Sequence, residues 1–97
     1  MDERRLKGIL GLSVRARQTA FGGDACRKAL ESGQYGILLL DEQISDNTRL
    51  KYQALCGRTG SRLIILPAGL LETATGRENM AMAVRRGNFS EQVESCL

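Results

Sequence analysis

The chain has 97 residues, is 42% hydrophobic and 26% charged, and carries a net charge of +3. That is enough chain for one modest core and too little for two domains, and the ordinary apolar content argues against intrinsic disorder. The longest apolar runs, Ile37 to Leu40 and Leu63 to Leu66, fall far short of the ~20 residues a membrane span needs.

Leu6, Ile9, Leu10 and Val14 form one helical stripe, which predicts a first helix beginning near Asp2. Gly8 and Gly11 each cost that helix ~1 kcal/mol relative to Ala and mark places where another element can approach closely. Arg15 and Arg17 fall at its end, where cations suit the helix dipole. Thr19-Ala20-Phe21 reads as a short strand. Gly22-Gly23 then breaks the chain, and a second helix starts at Gly23 or Asp24 and stops at Gly33. Ala25, Cys26, Ala29 and Leu30 make its apolar face; Arg27, Lys28 and Glu31 make the other. Ile37 to Leu40 is an apolar run that suits a strand buried on both faces, ended by Asp41-Glu42. Ser45-Asp46-Asn47 opens a third helix running to Cys56, with Thr48, Tyr52, Leu55 and Cys56 on one side. Gly57 and Gly60 bracket the turn out of it. Leu63 to Leu66 is another buried strand, closed by Pro67. Leu70, Leu71 and Ala74 predict a short helix ending at Gly76. Met80 to Val84 reads as the last strand. Asn88 and Glu91 have capping-box spacing, and Phe89, Val93, Cys96 and Leu97 carry a final helix.

The order is therefore α-β-α-β-α-β-α-β-α. Alternation with fully apolar strands implies the α/β class. The expected architecture is a single-domain three-layer α/β/α sandwich over residues 1–97, around a mainly parallel (mixed) four-stranded sheet.

Composition also narrows the chemistry. The chain has no histidine, so a histidine-based triad or general base is excluded. Its three cysteines, Cys26, Cys56 and Cys96, are odd in number and widely spaced, which suits buried inert thiols better than zinc or redox chemistry. No dinucleotide or P-loop fingerprint is present, and no metal or cofactor is implied. Asp41-Glu42, at the carboxyl end of a strand, is a conceivable metal or acid–base pair. With no third ligand or nucleophile nearby, a solvated loop is the plainer reading. Asp46 and Asn47 read as capping residues. Residues Met1 to Lys7 are charged and lead to no signal-peptide cleavage pattern, so the expected compartment is the cytoplasm.

The charge is uneven. Residues 1 to 30 hold seven Lys/Arg against three Asp/Glu, whereas the rest of the chain is close to balance. A local basic surface suggests an anionic partner, with phosphate backbone the commonest. The sharpest local feature is Phe21-Gly22-Gly23-Asp24: strand, glycine turn, helix start. Free N–H groups and the helix dipole make such a turn an anion site, and Arg27 and Lys28 project from the same helix. Asp24 repels a bare phosphate but can accept hydrogen bonds from a base edge. The alternative is a tight turn with no ligand. Arg85-Arg86 either extends the basic surface or is simply exposed. Phe21, Tyr35, Tyr52 and Phe89 are too few to stack successive bases on a sheet.

Taken together, these pieces resemble the ribosomal L-seven-Ae / L-thirty-e family, whose members bind kink-turn RNA. The resemblance covers roughly residues 5 to 90 and is nearest to the small bacterial branch. It rests on Leu10-Gly11-Leu12 with Arg15-Ala16, Phe21-Gly22, and the helix ending Lys28-Ala29-Leu30-Glu31-Ser32-Gly33. It continues through Ile37 to Asp41, the Ser45-Asp46-Asn47-Thr48 helix start, Ile64 to Pro67, Leu71 with Ala74 and Gly76, and Ala81 to Val84. The resemblance implies the same sandwich, with the RNA site at the start of the second helix and in the loop before the last strand. The family's second-helix motif, Gly-x-Asn-Glu-x-x-Lys, reads here Gly22-Gly23-Asp24-Ala25-Cys26-Arg27-Lys28. Gly22 and Lys28 match it, Asp24 stands for the Asn, and Ala25 stands for the Glu. Arg17-Gln18 replaces the Gly-Lys frequent in that branch, and Arg77-Glu78-Asn79-Met80 corresponds to the pre-strand loop.

The expectation is thus a non-catalytic, ribosome-associated RNA-binding protein. Gly22 and Gly23 would admit the RNA backbone closely, Arg27 and Lys28 would neutralise phosphates, and Asp24 would accept from a base edge. Arg77 and Met80 would pack on unpaired nucleotides. The alternative, favoured by Asp24 and Ala25, is a protein-interaction module that kept the fold and lost specific RNA binding.

Overall fold

A computed structural model describes every residue from Met1 to Leu97. The elements in chain order are α1 (Glu3–Arg15), β1 (Thr19–Phe21), α2 (Gly23–Glu31), β2 (Tyr35–Asp41), α3 (Asp46–Thr59), β3 (Arg62–Leu66), α4 (Leu70–Thr75), β4 (Ala81–Arg85) and α5 (Asn88–Ser95). The alternation read from the sequence is present. Asp2 caps α1 by accepting from the Arg5 N–H at 3.1 Å, and Ser45 caps α3 by accepting from the Thr48 N–H at 3.2 Å.

The four strands form one mixed sheet in the order β1-β4-β2-β3. β1, β2 and β3 run the same way. β4 is inserted between β1 and β2 and opposes both, so the parallel ladder is the β2–β3 pair alone. The strand inserted in the centre is the last of the four in sequence. That pairing is set by the path of the chain and not by the apolar pattern of each strand.

Period-2 alternation in the central strands divides the core in two. Ile37, Leu39, Met82 and Val84 face α1, α4 and α5, together with Leu6, Ile9, Leu10, Leu66, Leu71 and Val93. Leu38, Leu40, Ala81 and Ala83 face α2 and α3, meeting Cys26, Leu30, Tyr52, Leu55 and Cys56. On that second face the ladder pairs Leu38 with Ala83 and Leu40 with Ala81. Each leucine therefore lies opposite a small residue, which leaves room for the helices to close on the sheet.

Several local expectations are adjusted. Ser13, not only Val14, closes the buried face of α1; its hydroxyl donates to the Leu10 carbonyl at 2.7 Å, which satisfies it inside the helix. Gly57 lies within α3 instead of in its exit turn, and the helix ends at Gly60, whose φ of 71° favours glycine. Gly11 is a point of close approach, since a Cβ there would lie 3.2 Å from the Ala74 carbonyl oxygen; Gly8 has open space. The cap of α5 is one residue earlier than Asn88. Gly87 is the N-cap, and its N–H donates to Ser90 Oγ at 3.0 Å. Glu91 is not the reciprocal partner.

Candidate nucleic-acid interface

The carboxyl ends of β1, β2 and β3 and the start of β4 lie at one end of the sheet, because β4 runs against the others. Open α/β sheets commonly bind ligands at such an end. Phe21 closes β1 there, and Gly22 follows as the N-cap of α2, with φ 81° and ψ 176°. A side chain rarely adopts that backbone, so glycine is required at this turn. Gly22 has no side chain to cap the helix, and no side chain from elsewhere does so. The first-turn N–H groups of α2 are therefore free to meet an anion. Asp24, 88% exposed, and Ala25 stand on this first turn.

The loop before β4 docks against the same turn. The Gly22 N–H donates to the Ala81 carbonyl at 3.3 Å, and the Asp41 N–H donates to the Met80 carbonyl at 2.9 Å. The Arg77 guanidinium stacks on the Phe21 ring, 4.1 Å from its centroid, a cation–π contact that aims the loop at the start of α2. Asn79 holds the loop's shape by donating to Thr75 Oγ1 at 3.1 Å and to the Arg77 carbonyl at 2.9 Å. Its side-chain amide oxygen, Oδ1, is buried without a partner. Met80 is 43% exposed beside it. The fold thus gathers Gly22, Gly23, Asp24, Arg77 and Met80, separated in sequence, around one edge.

The two basic residues of α2 differ. Lys28 is exposed and forms no ion pair. Arg27 is drawn along its own helix, 3.3 Å from Asp24 and 3.8 Å from Glu31. It points toward α3 and lines a groove of about 330 Å³ between the two helices, with Gly23, Thr48, Lys51, Tyr52, Leu55 and Arg58. Lys51 and Arg58 were not singled out from the sequence. Their spacing of seven puts them on one face of α3, and that periodicity was the available signal.

Asp41 is buried instead of solvated, whereas Glu42 stays exposed on the turn after β2. Asp41 is 3% exposed, and its carboxylate accepts from the Gln43 N–H at 2.8 Å and the Gly69 N–H at 2.9 Å. Glu42 accepts from the Ala68 N–H at 3.1 Å. Together they clasp the turn between β3 and α4 to the end of β2. No group of three or more His, Cys, Asp or Glu side chains is placed to hold a metal ion. Arg86 is also structural: its Nε donates to the Gly33 carbonyl at 3.0 Å and its side chain lies over Gly36, where β2 bulges. All three cysteines are buried and free. Burial pushes the Cys26 thiol up to about 11 and raises Cys56 as well, the opposite of what a reactive thiolate needs.

Solved structures that share this fold include the following two. A protein of unknown function from Bacillus halodurans superposes with a TM-score of 0.88 at 26% identity, covering 95% of each chain. The 15.5kD RNA binding protein of Giardia lamblia superposes with a TM-score of 0.74 at 12% identity, covering 96% of this chain and 85% of that one. No protein-family model matches the sequence, and no curated protein matches it. The chain is an α/β/α sandwich of an architecture that an RNA-binding protein also uses. No helix is long and apolar enough to cross a membrane.

Proposed function

We propose that this chain is a non-catalytic RNA-binding domain of the ribosomal L-seven-Ae / L-thirty-e type. In this reading it recognises structured, kink-turn-like RNA in the cytoplasm, in association with the ribosome. The observation that carries the proposal is the docking of the Arg77–Met80 loop against the uncapped start of α2, with the unpaired Lys28 exposed in the last turn of the same helix. Free N–H groups and Lys28 take backbone phosphates, and Gly22 and Gly23 let the strand approach. Asp24 accepts hydrogen bonds from a base edge, Arg27 adds positive charge, and Arg77 and Met80 cover an unstacked nucleotide. The fold shared with an RNA-binding protein supports the reading.

Lys28→Glu tests it. Reversing that charge should weaken RNA binding tenfold or more across sequences. It should also lower the log–log salt slope by ~0.7–0.9, as loss of one phosphate contact does. Unchanged affinity and slope would remove α2 from the interface. One feature favours a second reading, a protein-interaction module: at the tip of the helix, the exposed Asp24 carboxylate pairs with Arg27 of its own helix, and Ala25 has no polar side chain. Partner binding that ignores both salt and Lys28→Ala supports that reading instead.

A further inference from the structure

The groove between α2 and α3 adjoins the proposed interface and shares Gly23 and Arg27 with it, but its α3 wall lies outside that interface. Three of its seven lining residues, Arg27, Lys51 and Arg58, are cationic, and no acid lines it. Glu31 lies on its α2 side and is shared by two guanidiniums, Arg58 at 2.8 Å and Arg27 at 3.8 Å. Lys51 has no ion-pair partner. Arg27 also pairs with Asp24 at 3.3 Å, so the two guanidiniums are met by two carboxylates, and the free Lys51 ammonium leaves the net positive charge at the opening.

Tyr52 supplies an independent observation. It is 8% exposed, it lines the groove, and its phenol oxygen makes no hydrogen bond within the protein. That oxygen sits at the α2 wall, 3.9 Å from where a Cβ on Gly23 would lie. Burial raises the pKa of the phenol, so it remains a hydrogen-bond donor at neutral pH. A phenol donor that has no protein partner and reaches the groove's solvent beside three cationic side chains is suited to a phosphate oxygen. Gly23 belongs both to this groove and to the first turn of α2, so the two surfaces are continuous.

We propose that the α2–α3 groove is a second phosphate site, in which Lys51, Arg58 and Tyr52 hold the phosphodiester backbone of the RNA strand leaving the α2 N-terminus. The inference rests on the RNA-binding reading of that N-terminus. The continuity at Gly23 favours an extended polyanion over a separate small ligand.

The test compares wild type, Lys28→Glu, the double variant Lys51→Ala/Arg58→Ala, and Tyr52→Phe. Each is titrated with a short structured RNA and with the same RNA extended by a single-stranded flank. A competition arm uses a nucleoside monophosphate. The double variant should weaken binding of the extended RNA at least tenfold and lower its salt slope by ~1.4, two single-strand phosphate contacts. It should leave the short RNA nearly unchanged. Tyr52→Phe, which keeps the packing, should cost the extended RNA severalfold. If Lys28→Glu weakens binding while the groove variants match wild type on both RNAs, the groove inference is overturned and the α2 reading stands. If the monophosphate binds the groove and groove variants leave RNA affinity untouched, the occupant is a small phosphorylated ligand and the proposal fails. If wild type binds neither RNA at low salt, both readings fall together.

Discussion

Asp41 ties the end of β2 to the turn entering α4, and its replacement gives a sharp test of how the interface end of the sheet is held. Its carboxylate is buried and accepts two backbone N–H bonds of 2.8 and 2.9 Å, from Gln43 and Gly69. Hydrogen bonds to a charged group are worth ~1.5–3 kcal/mol each, and an orphaned buried donor keeps its desolvation cost. Asp41→Ala should therefore lose about 3 kcal/mol or more, a large share of the ~5–15 kcal/mol typical of a domain. At ~4–8 °C per kcal/mol for a chain of this size, the melting temperature should fall by at least ~12 °C. Asp41→Asn is the more telling variant because it is nearly the same shape. One amide oxygen can serve one N–H, but the amide NH2 then faces the other donor. Asn should consequently fall close to Ala. Glu42→Ala, which removes a single exposed bond, should cost under ~1 kcal/mol. Urea unfolding followed by circular dichroism reads all three. An Asp41→Asn protein within ~0.5 kcal/mol of wild type would refute the account of this clasp.

Two further outcomes follow from the packing. Gly8→Ala places its Cβ in open space and should stabilise α1 by ~0.5–1 kcal/mol, whereas Gly11→Ala meets the Ala74 carbonyl and should gain less or lose. Thermal melts that rank them the other way would contradict the α1–α4 approach. Burial holds the Cys26 thiol protonated up to about 11, against an ordinary value of 9.0, and raises Cys56 and Tyr52 too. The unfolded chain loses these protons first, so stability should fall as pH rises from 9 toward 11, and Cys26→Ala should flatten part of that fall. A wild-type stability constant across that window would contradict the burial of these groups.

The order of elements was legible because each carries its own signal. Ile37 to Leu40 and Leu63 to Leu66 are unbroken apolar runs, and Ser45 announces a helix start. The place of β4 was not legible, because Ala81 to Arg85 contains nothing that says it pairs with both β1 and β2. Asp41 misled for a related reason. Beside Glu42 it looks like a solvated loop, yet its second partner is the N–H of Gly69 on a distant turn. The cap of α5 slipped by one residue because Asn88/Glu91 and Gly87/Ser90 share the same spacing, and the backbone chose the glycine. In the candidate interface, the glycine turn and Lys28 are local features. The contact of Arg77 with Phe21, and the facing of Lys51 and Arg58 toward α2, arise from tertiary packing.

The central claim is that the start of α2 and the loop before β4 together read structured RNA. Its most direct test is fluorescence anisotropy with a kink-turn RNA, a copy with its G·A pairs mutated, and a plain duplex, each at two salt concentrations. The account predicts tightest binding to the kink-turn RNA, weakened by salt and by Lys28→Glu. Equal, salt-sensitive binding to all three would reduce the surface to a generic basic one. Absence of binding to any of them at low salt would contradict the claim.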